Sequence, residues 1–284
     1  MEIMQNEIIE DIGTPQSREN YDKMVDYLVS MPVNNYKDYI SRLSVEKNIK
    51  HESGHFIFLL GESMQHLFLG ENLKKAKDII KYRSTIKDSE VIDGFSRIYE
   101  LNNEKILLME IDGSFVSVAA TIHELTHLLQ AINENNPRKK YNEILSIFSE
   151  FVVLDYFSSK FNNPDIFDNH LINRLVNRMS YRVRSNQLFS DEEKWIKEIY
   201  FSCYTYFLGT IYAMRLFDLY KKGDMTILST FNSVLAGEIN VDQMLEKYDI
   251  NMSNQDTVTS FINCCDYYRK IVDDRYGNNV HYVK

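Results

Sequence analysis

The chain has 284 residues, 44% of them apolar and 26% charged, enough for one large domain or two closely packed ones, and a composition that excludes disordered, collagen-like and disulfide-framework proteins. Its 32 basic and 41 acidic side chains leave a net charge of −9, and no basic cluster interleaved with aromatics offsets it, so nucleic acid and anionic membrane are not expected partners. Ten glycines and four prolines are few for this length, and none of the prolines follows Pro164, which predicts long uninterrupted helices because an interior proline costs about 3 kcal/mol.

The N-terminal residues Met1-Glu2-Ile3-Met4-Gln5-Asn6 carry no positive segment and no apolar run, so no signal peptide is expected and the protein is read as cytoplasmic. From Tyr21 to about Lys87 apolar residues such as Met24, Leu28, Phe58, Met64 and Leu67 recur at helical spacing, predicting an N-terminal helical region over residues 1–90. The pattern changes at Phe95-Ser96-Arg97-Ile98-Tyr99-Glu100 and Lys105-Ile106-Leu107-Leu108-Met109-Glu110-Ile111, which flank the turn-prone Leu101-Asn102-Asn103-Glu104; a β-hairpin is predicted there. A helix of small and apolar residues follows Asp112-Gly113-Ser114 and runs to about Ile132, where Asn133-Glu134-Asn135-Asn136-Pro137 stops it. A second runs from about Arg138 to Lys160, with Ile144, Ile147, Phe148, Phe151 and Leu154 on its apolar stripe. Further helices are predicted near 166–185, 191–221, 225–236, 241–247 and 255–275. The expected fold is mainly α, with a small hairpin or sheet, and a composition shift near residue 90 divides the helical region from residues 91–284. Cys203, Cys264 and Cys265 read as reduced thiols. The longest apolar stretches are short or broken, as at Arg215, and fall below the ~18 residues of a membrane span.

His123-Glu124-Leu125-Thr126-His127 is an H-E-x-x-H motif embedded in an apolar helix. Two histidines four apart project from one helical face and can share a zinc ion, with Glu124 beside the open coordination position. Zinc lowers the pKa of bound water, and a glutamate there accepts a proton as water attacks an amide carbonyl. A second match, His51-Glu52-Ser53-Gly54-His55, has the solvated flank Lys47-Asn48-Ile49-Lys50 and is read as a coincidence of a helix surface. A third ligand is required, and the helix after His127 carries Glu143 and Glu150. At about 1.5 Å rise per residue, the level between the two histidines faces residues near 146 of an antiparallel return helix. Glu143 and Glu150 lie one turn to either side on one face, so one can bind zinc while the other holds a ligand histidine. Helix geometry leaves both assignments open.

These residues resemble a known family. Glu143-Ile144-Leu145-Ser146-Ile147-Phe148-Ser149-Glu150 fits E-x-x-S-x-x-x-E, the third-ligand helix of the oligoendopeptidase F and thimet oligopeptidase family of zinc metallopeptidases, which are gluzincins. Gly113-Ser114-Phe115-Val116-Ser117-Val118 resembles that family's entry into its active-site helix, and Tyr204-Thr205-Tyr206-Phe207-Leu208-Gly209 through Tyr220-Lys221-Lys222-Gly223-Asp224 is similar to its tyrosine-rich helix and following turn. The resemblance covers roughly residues 95–250. It implies a zincin-like catalytic domain over residues 91–284 and one Zn²⁺ per chain on His123, His127 and Glu143. It further implies Glu124 as general base, Glu150 as partner of a ligand histidine, and Tyr204 as a hydroxyl that stabilises the oxyanion, with Tyr206 and Tyr212 as further substrate contacts. By the same resemblance the strand Lys105 to Ile111, with Leu108, Met109 and Glu110, is an edge strand that pairs with extended peptide backbone.

The chain also departs from the pattern. Thr126 stands where the family's H-E-x-G-H has glycine, although H-E-L-T-H is familiar in thermolysin-like enzymes. The link from His127 to Glu143 is short, which leaves Glu150 as the alternative ligand. No histidine lies between His170 and Tyr204, and the chain is much shorter than a full member. The expected function is zinc-dependent hydrolysis of oligopeptides; the alternatives are a catalytically silent peptide-binding member of the fold and a protease dedicated to one partner protein.

Overall fold

The structure, a computed structural model, describes residues 13–31, 53–88, 95–101, 104–111, 114–133, 141–172, 175 and 194–276. Helix α1 (Pro15–Val29) begins at Thr14, whose hydroxyl accepts a hydrogen bond from Ser17 N, with Pro15 in the first turn where its missing N–H costs nothing. Helices α2 (Ser53–Leu67) and α3 (Gly70–Tyr82) follow, then strands β1 (Ser84–Asp88), β2 (Phe95–Leu101) and β3 (Glu104–Ile111). The remaining elements are α4 (Phe115–Asn133), α5 (Asn142–Lys160), α6 (Asp165–Ile172), α7 (Lys194–Lys221), α8 (Thr226–Leu235), α9 (Val241–Lys247) and α10 (Gln255–Tyr276). Helix α9 is short but well begun: Asn240 and Gln243 form a reciprocal capping box. The mainly helical fold with a small sheet beside the motif-bearing helix is as expected.

The predicted hairpin is present, with Phe95 opposite Glu110 and Leu101 opposite Glu104. Two features of the sheet differ from the sequence reading. Ser84–Asp88, read as the end of a helical region, is a strand that runs parallel to β3, Ser84 facing Leu107 and Asp88 facing Ile111. Helix α3 ends at Tyr82, and the Ser84 hydroxyl donates back to the Ile80 carbonyl at 2.5 Å, satisfying one of the last-turn acceptors. The strand order is consequently β1-β3-β2, and β3 is central rather than an edge. β1 lines it from Leu107 to Ile111 and β2 from Glu104 to Glu110, so the expected edge strand from Lys105 to Ile111 is corrected: among the described residues the outer strands are β1 and β2, and β2 packs on α4.

Side chains alternate along β3: Leu107 and Met109 are buried and Leu108 is half-buried on the opposite face, as a pleated strand requires. Leu107 and Met109 join one core with Ile122 and Leu125 of α4, Ile147 and Phe151 of α5, Leu208 and Ile211 of α7, and Phe231 and Phe261 further on. Helix α5 is the hub. Every residue from Ile144 to Leu154 is buried, because α4 and α7 both pack along it; a helix apolar on all sides belongs in an interior. Of the predicted helix at 166–185, residues 165–172 are helical, and the positions beyond lie outside the described residues except 175. Among the described residues no helix is long and apolar enough to cross a membrane, and Cys264 and Cys265 are free thiols.

Gly61 sits inside α2 with nothing within 4 Å of where a Cβ would stand. An interior helix glycine costs about 0.5–1 kcal/mol relative to alanine. Gly61→Ala is therefore expected to stabilise the protein by up to about that amount, read as a raised urea midpoint at unchanged slope.

Candidate metal centre

His123 and His127 lie one turn apart on α4, and Glu143 is the second residue of α5. Packing of α4 along α5 brings the three groups together. His123 Nε2 is 3.1 Å from His127 Nε2 and 3.4 Å from Glu143 Oε2, and His127 Nε2 is 3.6 Å from Glu143 Oε1. Among the described residues they form the group of side chains that could hold a metal ion. Two independent observations fit such an ion. The two imidazole nitrogens are 3.1 Å apart and each has one of the two Glu143 oxygens at 3.4 or 3.6 Å, near the separation of about 3.3–3.6 Å between donors of a tetrahedral site with bonds of about 2.0–2.2 Å. Glu143 Oε2 is buried without a hydrogen-bond partner, a costly state for a carboxylate oxygen unless a cation satisfies it. Two imidazoles and one carboxylate are a donor set suited to zinc.

Glu150 sits on the far side of the same imidazole. It is 2% exposed; its Oε1 lies 2.5 Å from His123 Nδ1 and its Oε2 is hydrogen-bonded to His170 Nε2 at 2.7 Å. The two carboxylates that helix geometry left interchangeable thus address opposite nitrogens of one ring: Glu143 the nitrogen turned to His127, Glu150 the nitrogen turned away. Burial opposes a charge on His123, but Glu150 and Glu143 outweigh it and push its pKa up to about 9. Burial likewise raises Glu143, yet the neighbouring His123 and His127 imidazoles hold it below the usual carboxylate range. Glu124, half-buried, is raised by burial despite the two neighbouring histidines.

The rest of the motif secures the helices. Thr126, fully buried, donates from Oγ1 to the Ile122 carbonyl at 2.8 Å and lies 3.2 Å from Ser149 Oγ, so the residue in the family's glycine position ties α4 to α5. Ser146 and Ser149 donate to the carbonyls of Glu143 and Ser146 at 3.0 and 2.6 Å.

Sequence reasoning missed His170. It is buried at 5% exposure on α6, and a single histidine in an eight-residue helix carries no spacing that marks it. His170→Ala removes a partner from a buried carboxylate, an expected loss of about 1–3 kcal/mol, measured by equilibrium unfolding in urea.

Met109 is fully buried in the core, and Leu108 belongs to the central strand. Tyr212 is 2% exposed with its ring 6.4 Å from that of Tyr141. Tyr206 is partly buried against the core. The side chains of Tyr204 and Glu110 lie outside the described residues, as do His51 and Glu52; His55 is exposed in the first turn of α2, its ring 6.1 Å from Phe58.

No protein-family model and no curated protein matches the sequence. Solved structures do match the fold. An oligoendopeptidase F, so classed, from Bacillus anthracis strain Ames superposes with a TM-score of 0.62 at 14% identity over 92% of this chain and 57% of its own. A PZ peptidase A determined with an inhibitor gives 0.63 at 13% identity over 91% of this chain and 59% of its own. A second structure classed as oligoendopeptidase F gives 0.59 at 11% identity over 91% and 58%. The chain shares their fold and spans less than three fifths of their length.

Proposed function

We propose that the chain is a zinc-dependent peptidase that hydrolyses oligopeptides in the cytoplasm, with one zinc ion per chain. The convergence of His123, His127 and Glu143, whose Oε2 is buried without a hydrogen-bond partner, carries the reading; the shared fold with oligopeptidases supports it. His123, His127 and Glu143 would hold the zinc ion, which would supply Lewis acidity toward water and the peptide carbonyl. Glu150, hydrogen-bonded to His170, lies 2.5 Å from His123 Nδ1 and so sets the ring with Nε2 toward His127 and Glu143. Glu124 accepts the proton of the attacking water and returns it to the departing amine. Tyr204 is assigned the hydroxyl that donates to the developing oxyanion.

Elemental analysis of the purified protein, paired with cleavage of a mixed quenched-fluorescent peptide library, tests this. One zinc per chain is expected, with cleavage lost on chelation and restored by zinc. Zinc without cleavage would favour a peptide-binding member or a protease dedicated to one partner, and no zinc at all would sink the proposal.

A further inference from the structure

A glycine within a helix costs stability relative to alanine, so its presence in the buried middle of α7 calls for a reason. Gly209 is flanked by Leu208, Thr210 and Ile211, all fully buried. A Cβ placed on it would stand 2.7 Å from Glu143 Cβ, 3.3 Å from the Glu143 carbonyl carbon and 3.4 Å from Ile147 Cδ1. Carbon atoms do not approach to 2.7 Å without something moving, and here nothing yields cheaply. A Cβ moves only with its own backbone, and that backbone leads directly into the stretch of α5 buried without a break from Ile144 to Leu154. Helix α7 is equally fixed by its buried neighbours, and interiors packed at crystal-like density transmit such a displacement instead of absorbing it.

We infer that Gly209 is a positioning residue for the metal centre: its missing side chain lets the α7 backbone press against the backbone and Cβ of Glu143 and so sets where that carboxylate meets His123 and His127. The inference rests on the zinc reading above. Its force comes from scale. Relieving the 2.7 Å contact to ordinary van der Waals distance separates Glu143 from the α7 backbone by a further ~1 Å, and even a share of that falling on Glu143 exceeds the roughly 0.2 Å within which ligand distances in a working metal site hold. Gly61 is the contrasting case, a helical glycine with open space around it, and serves as the control.

The test compares zinc Kd, by competition with a chromophoric chelator, for wild type, Gly209→Ala and Gly61→Ala. Thermal unfolding of each with and without zinc is measured alongside. Gly209→Ala is expected to weaken zinc binding about 10- to 100-fold, the range for residues that hold ligands in place, and to shrink the zinc-induced rise in Tm; Gly61→Ala leaves both unchanged. A purely structural glycine behaves differently: Tm of the chelated protein falls while Kd stays at the wild-type value, and that result overturns the inference. If Gly209→Ala yields no folded protein, Gly209→Ala/Ile147→Ala, which opens room beside Glu143, is compared with Ile147→Ala alone. Weakened zinc binding in the double variant upholds the inference and equal binding overturns it. Wild type that binds no zinc overturns the metallopeptidase reading beneath it, an outcome distinct from equal binding by wild type and variant.

Discussion

Glu124→Gln is expected to keep one zinc per chain while peptide hydrolysis falls about 10²- to 10⁴-fold, the usual worth of a positioned general acid–base group. The argument is one of shape against chemistry. Glutamine matches glutamate in size and reach, and none of the contacts that assemble the centre passes through this side chain. They run instead from His123 and His127 to Glu143, and from His123 through Glu150 to His170. What glutamine lacks is a basic oxygen able to accept a proton from water and give it to an amine. Burial already raises the Glu124 pKa, making the carboxylate a stronger base than an exposed one. Steady-state kinetics on a cleaved library peptide, with zinc content measured on the same preparation, decide the matter. Near-wild-type kcat would remove Glu124 from the mechanism, and lost zinc would make it part of the metal's support.

Local periodicity carried most of the fold. Helices α4 and α5 were legible because each combines a sustained apolar stripe with a clear stop, and the hairpin because two β-rich runs flank a turn. Helical geometry put His123 and His127, four apart, on one face and Glu143 and Glu150, seven apart, on one face, and left open which carboxylate joins the histidines. Strand β1 was not legible for a physical reason. Ser84–Asp88 is five residues long, carries one large apolar side chain, and becomes a strand only through pairing with β3 more than twenty positions later. Missing it also misplaced β3, since whether a strand is central or an edge depends on a partner its own residues do not encode. An aromatic at helical spacing has the same signature in a core as in a cleft, and Tyr212 is buried. His170 and Gly209 were silent for the complementary reason, because their roles lie in contacts with Glu150 and Glu143 that only the packed helices create.

Glu143→Ala is expected to abolish stoichiometric zinc binding and Glu150→Ala to preserve it with weakened affinity, a split that separates the two carboxylates. Both contact His123, and from spacing alone either could be the ligand. The side of the ring each one meets distinguishes them. Glu143 reaches Nε2, the nitrogen shared with His127, and its Oε2 is buried without a hydrogen-bond partner; removing it takes away one of three donors and the only negative charge among them. Glu150 spends its two oxygens on His123 Nδ1 and His170 Nε2, leaving the inner triad complete when it is lost. The cost of Glu150→Ala falls on orientation: the His123 ring loses the acceptor that fixes it, an effect of about 10- to 100-fold in metal affinity. Two buried imidazoles also lose a shared carboxylate, so the zinc-free protein is expected to unfold at lower urea in Glu150→Ala than in Glu143→Ala. Zinc titration of both variants, with urea unfolding under chelation, reads the two effects separately. Full metal content in Glu143→Ala together with its loss in Glu150→Ala would exchange the two roles and require the inner face of His123 to turn by half a ring.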